Sequence, residues 1–358
     1  MRLLLCFALC LAPVFSLPAA DQTKEVSAAT IAALIDRGGK EKPDWWDKVS
    51  LNYPSTLDLT CPKSVGWKPK LVPAVWMYDV VSPNPARWKE CTKFWHFVLA
   101  NAKQNKFAEA EKEATQTLAF CYGEMLQDWP RSIYWCQQAD EKYGKNDHRT
   151  IAMAEAYWRL ESRTLAVKTL QSLAQDNTEH GSMIQLYAKM GDFTTAYALA
   201  KTKIAQDEAI GWFMTGYTAQ LQGDWGKALD AFTQTKKTPQ NKSGRKWKET
   251  VDRATAAAQA ITLFENLNLT KIPDGTYKDS STGYAGPITV EVTVAAKRIT
   301  GVRVSNHREK QYYASLVEVP ANILAKQHVK DVDATMGATI TSEAIVYATA
   351  KALRQGQR

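Results

Sequence analysis

Between residues 90 and 265 a short phrase recurs at a near-constant interval, and this repetition limits the fold more than any other feature of the 358-residue chain. Gly191-Asp192-Phe193 leads into Ala196, and Gly223-Asp224-Trp225 leads into Ala228. Weaker copies are Glu161-Ser162-Arg163 before Ala166 and Gln127-Asp128-Trp129 before Ser132. The four anchor positions are separated by 34, 30 and 32 residues. A unit of this size cannot bury its apolar face alone, so consecutive copies must stack. Ala, Leu, Glu, Lys and Gln dominate the stretches between anchors, and β-branched runs are few, which predicts helices. Gly-Asp ends one helix and caps the next. The small anchor residue then lets the two helices approach closely.

The interval and the phrase resemble the tetratricopeptide repeat, a helix–turn–helix unit of ~34 residues. Ala154-Glu155-Ala156-Tyr157-Trp158 and Trp212-Phe213 with Gly216-Tyr217 match its small and aromatic positions. The resemblance implies a stacked helical domain over 90–266 whose concave face is either a docking surface for a protein partner or a plain spacer. Residues 236–248 carry six basic and no acidic side chains, and their Pro, Asn, Ser and Gly mark a loop before a helix around 246–266. That loop is either an anionic-surface site or simply solvated.

Ahead of the repeats the chain reads as an export signal and a Trp-rich segment. Met1-Arg2 starts it, residues 3–15 are almost wholly apolar, and Ser16, Ala19 and Ala20 precede Asp21. This is the order of a secretory signal over 1–20, too short for a spanning helix. Lipid anchoring at Cys10 is the other reading of this leader. Export would leave Cys61, Cys91, Cys121 and Cys136, with no C-x-x-C and no metal-finger histidine. Cys121 falls level with either Cys91 or Cys136 across a helix turn, so one disulfide or four free thiols are both open. Six tryptophans between 45 and 95 predict a compact aromatic cap over 21–89. The formal charge of +8 is too mild for a nucleic-acid-binding chain, and 45% hydrophobic residues exclude wholesale disorder.

Near Leu267 the texture changes. Asp274-Gly275-Thr276-Tyr277 opens a new unit, and Gly283 to Pro287 form a Gly-rich turn. Ile288, Val290, Val292 and Val294 alternate with polar residues, predicting a strand with one buried face; Ile299, Val302 and Val304 predict its neighbour after a turn at 295–298. Helices are expected around 309–317, then from Pro320, and finally from about Thr341 to Leu353. The fold class expected is multidomain: tetratricopeptide-like helical repeats followed by a small α+β domain over 272–358, with few contacts crossing the boundary.

The stretches 274–277, 283–294, 298–309 and 332–345 resemble the FMN-binding domain of extracytoplasmic flavoproteins, which include subunits of sodium-pumping quinone reductases and Rnf-type oxidoreductases. The resemblance implies FMN joined through its phosphate to a threonine hydroxyl by a flavin transferase that uses FAD. The motif carrying that attachment stands here as Asp333-Ala334-Thr335-Met336-Gly337-Ala338-Thr339, which puts the acceptor at Thr339. Met336 replaces the usual Ser or Thr, and the usual His-x-Glu-Thr-Pro-Gly is missing after His307-Arg308-Glu309.

The residues themselves agree with that assignment. Gly337-Ala338 lets the backbone pass close to a ligand, and the helix beyond Thr339 presents unpaired N–H groups suited to a phosphate. The hydroxyls of Thr341 and Ser342 either donate to the phosphate or cap the helix. His307, Arg308 and Lys330 are counter-charge candidates or solvated side chains, and the turn with Tyr284 and Gly286 is placed against the flavin by the resemblance. No acid–base pair, nucleophile set, G-x-G-x-x-G or Walker loop is evident. The reading is therefore an exported carrier of covalent FMN for extracytoplasmic electron transfer, more a component of a redox complex than a complete oxidoreductase. A flavin transferase, a redox partner and a protein docked on the repeats are the partners it implies, with membrane association through a partner. The alternative is a flavin-free or non-covalent-FMN interaction protein acting through its repeats.

Overall fold

The computed structural model describes residues 25–60, 72–173, 180–240, 244–264, 266–309, 314–330, 332 and 338–357. The leader, Cys61, Trp67 and the motif residues Asp333, Met336 and Gly337 lie outside them. The helical part runs α1 (Ala28–Lys40), α2 (Pro73–Trp76), α3 (Trp88–Asn105), α4 (Ala108–Phe120), α5 (Trp129–Tyr143), α6 (Asp147–Arg159) and α7 (Arg163–Leu170). It continues through α8 (His180–Lys189), α9 (Phe193–Gln206), α10 (Glu208–Gln222), α11 (Trp225–Lys237) and α12 (Gly244–Phe264). Each helix from α4 to α11 packs on its successor or predecessor, and α6, α8, α10 and α12 also pack on one another in turn.

The recurring phrase has one backbone geometry. Gln127, Glu161, Gly191 and Gly223 all sit at positive φ, between 53° and 81°. Asp128, Asp192 and Asp224 then accept the N–H three residues on, capping α5, α9 and α11. Ser132, Ala166, Ala196 and Ala228 each fall in the first turn of the second helix and are at most 2% exposed. A further turn of this kind, at Lys106 (φ 59°) before Phe107, escaped the sequence because neither residue is Gly or Asp.

Ahead of α5, an aromatic cluster joins tryptophans of the 21–89 segment to α3 and α4. Trp76, Trp88, Trp95 and Phe94 are buried with Cys91 and Cys121 between α3 and α4, and Trp45 packs against them. The described cysteines, Cys91, Cys121 and Cys136, are buried free thiols.

The C-terminal unit is a three-stranded antiparallel meander, β1 (Gly275–Thr282), β2 (Pro287–Ala295) and β3 (Arg298–Asn306), in the order β1-β2-β3. Ile288, Val290, Val292 and Val294 point to the core as their alternation requires. A helix α13 (Ser315–Lys326) covers β3, and α14 (Thr339–Gly356) covers β1 and β2. Three sequence expectations change. β1 is a strand although polar residues fill it, because its pairing with β2 supplies the ladder. Pro320 lies inside α13 rather than at a helix start, and forfeits one helical bond there, while residues 310–313 of the helix expected around 309–317 lie outside the described residues. The last helix begins two residues sooner, at Thr339.

The expectation of few contacts across the boundary also fails. One hydrophobic cluster runs unbroken from Ile151 in α6 through Phe264 to Leu353 in α14. The Arg253 guanidinium of α12 grips the Glu343 carboxylate of α14 in a bidentate pair at 3.0–3.2 Å. Phe264 meets Tyr347, Lys330 lies over the Trp225 ring, and Gln127 donates to Glu318 of α13. The physical reason is α14 itself: it is buried on nearly every side, so it needs a partner on each face. No helix among the described residues is long and apolar enough to cross a membrane.

Candidate functional site

α14 starts at Thr339 with Ala338, 3% exposed, as its N-cap residue, and no side chain caps the turn. The first-turn N–H groups therefore point out of the helix end beside the Thr339 hydroxyl. Such an end favours a negative group. Thr341 and Ser342 do not cap it. Both are buried, and Thr341 Oγ1 donates to Glu309 Oε2 at 2.8 Å.

Glu309 joins two halves of the C-terminal unit. Its Oε1 accepts from the Ala285 N–H at 3.0 Å, so one buried carboxylate holds both α14 and the Gly283–Gly286 turn. That turn is closed by Gly283 N–H donating to Gly286 C=O at 2.8 Å. Gly283 is required there, since a Cβ would lie 2.5 Å from Ile288 Cδ1 and 2.8 Å from Glu309 Oε1. Gly286 adopts φ 143°, Tyr284 is 60% exposed, and His307 is half-buried behind Glu309 in the chain. The structure thus brings Gly286, Tyr284 and Thr341 into one assembly around Glu309. Lys330 is turned instead onto Trp225 of α11. Glu309 was visible in the sequence only as the last residue of His307-Arg308-Glu309, with nothing to show that it bridges.

Thr339 faces away from that turn, toward the helical region. Its hydroxyl reaches Gln185 Oε1 of α8 at 3.5 Å and lines a cavity of about 260 Å³. The other walls come from the helical region: Glu124 between α4 and α5, His148 and Glu155 on α6, Ser182 and Lys189 on α8. Lys189 pairs with Glu155 at 3.3 Å, and Arg159 approaches the same carboxylate at 3.6 Å. Burial, reinforced by the Glu155 charge and opposed by Lys189, holds the Glu124 carboxyl well above the usual carboxylate range. Its Oε2 is enclosed and has no hydrogen-bond partner among the described residues. Glu343, one helical turn beyond Thr339, is also pushed up by burial, with Arg253 pulling the other way. Nothing in the sequence marks this wall, because its charges sit at helical spacing like any solvated face.

Residues 283–354 match the FMN-binding domain family. An uncharacterized protein of Treponema pallidum (strain Nichols) is 42% identical over 89 residues, 24% of this chain and 24% of that protein. The chain therefore spans about a quarter of that relative's length in the matched region. No solved structure matches. The family match supports FMN as the ligand of the C-terminal α+β unit, whose uncapped α14 end fits an anionic, phosphate-bearing group.

Proposed function

We propose that the protein is an exported flavoprotein that carries FMN on Thr339 and passes electrons to and from a protein partner outside the cytoplasm. The observation that carries the reading is the position of Thr339 within the matched segment, at the uncapped start of α14, with its hydroxyl on a cavity wall. In the attachment step the Thr339 Oγ forms a bond to the phosphorus of the FMN half of FAD. The pyrophosphate bond breaks, AMP leaves, and the hydroxyl proton passes to solvent. A flavin transferase supplies that reaction. The attached phosphate diester keeps one negative charge, which the N–H groups of the α14 end and its dipole stabilise.

The bound flavin supplies the redox chemistry, and the chain's own residues hold and shield it. The helix pairs are read as tetratricopeptide-like, on the shared Asp-capped turn and the buried small anchor. Their face toward α14 is already covered by the C-terminal unit, so a redox partner must use another surface. The alternative, a flavin-free or non-covalent-FMN interaction protein, draws on Met336 in place of a hydroxyl residue. Co-expression with an exported flavin transferase separates the two. Wild-type protein should show a fluorescent flavin band after denaturing electrophoresis, and Thr339→Val should lose it while keeping its fold. A dark wild-type band would remove the covalent reading.

A further inference from the structure

We propose that the cavity between the helical layer and α14 receives the ring system of the flavin carried at Thr339, so that α6 and α8 furnish its polar wall. The inference rests on the Thr339 attachment proposed above. It turns the repeats from a spacer into half of the cofactor site.

Four observations point to this. The Thr339 hydroxyl is itself part of the wall, so any group joined to it begins at the cavity. A space of about 260 Å³ lies just below the ~300–1,000 Å³ usual for ligand pockets, which suits one fused ring system and not a whole dinucleotide. Its lining mixes donors and acceptors, with Gln185 and Ser182 neutral and the Lys189–Glu155 pair charged. The edge of an isoalloxazine ring alternates carbonyl acceptors with an N–H donor and can use such a wall. Finally, the enclosed Glu124 Oε2 has no hydrogen-bond partner among the described residues, a cost that buried polar groups normally avoid. Burial favours the neutral form of this carboxyl, and that form can donate to a ring carbonyl.

The charged pair gives the test its sign. A positive charge near the ring stabilises added electrons, and a negative charge opposes them. Full-length wild-type, Lys189→Met and Glu155→Gln proteins are loaded by co-expressed flavin transferase and titrated reductively. The potential should fall for Lys189→Met and rise for Glu155→Gln. A ring lying outside the cavity would leave both unchanged at full loading and unaltered melting, and that result would overturn the inference while sparing the attachment. Should either variant fail to fold, iodide quenching of wild-type flavin fluorescence decides. A pocket burying most of its ligand should cut the quenching constant roughly fivefold relative to the same protein in urea; equal quenching in both states overturns the inference. Absence of flavin from wild-type Thr339 would overturn the attachment and this inference together.

Discussion

His96 shows how a single half-buried side chain sets a pH limit on the fold. It sits between Trp46 and Trp135, shares a 2.9 Å hydrogen bond with Tyr122, and is held down to about 4 by burial, with the Arg131 charge adding to it. Its folded value lies below the unfolded 6.5, so the stabilisation is full above pH 6.5 and drains away as pH falls toward 4. The loss should reach roughly 3 kcal/mol, and His96→Gln should flatten the fall of Tm over that window. Gly223 is a second residue whose role is local: φ is 81° and a Cβ there would meet nothing. Gly223→Ala should therefore cost about 1 kcal/mol from backbone conformation alone, read by urea unfolding. Thr339 was singled out in the sequence because a motif points at one atom. Glu309 and Glu124 were not, because their roles depend on elements far away in the chain, α14 for one and α8 for the other.

At the scale of elements, the helices of the N-terminal region were legible through their turns. A left-handed residue, an Asp cap and a small residue in the next helical turn form one local device, and local devices leave local sequence marks. Where Glu161 or Lys106 adopts the same φ without glycine, the mark fades although the geometry persists. The anchors Ala196 and Ala228 are fully buried where α9 and α11 meet their partners. Replacing either by Trp should lower stability by ~1–3 kcal/mol or more, since the neighbouring backbones cannot separate freely. Thermal melting that matches wild type in both variants would contradict the paired-helix packing. β1 was harder to see, because polar residues fill both its faces, Thr276, Lys278, Ser280 and Thr282 on one and Asp279 and Ser281 beside Tyr277 on the other, so it shows little alternation. It exists through its register with β2, a long-range fact.

For the whole molecule, the texture change near Leu267 is real in sequence but is not a seam in the core. Apolar burial crosses it, and the Arg253–Glu343 pair ties α12 to the first turns of the helix that bears Thr339. Arg253→Ala leaves a buried carboxylate without its partner and should cost roughly 3 kcal/mol, measured as a drop in the denaturant midpoint of the full chain. Sequence patterns reveal which faces are apolar; they do not reveal that the apolar faces of two units meet each other. The central claim is that Thr339 carries the flavin, and peptide mass spectrometry of wild-type protein co-expressed with an exported flavin transferase tests it most directly. The account predicts an FMN adduct localised to Thr339, and absent from Thr341 and Ser342. An unmodified Thr339 peptide, or an adduct on another residue, would contradict it.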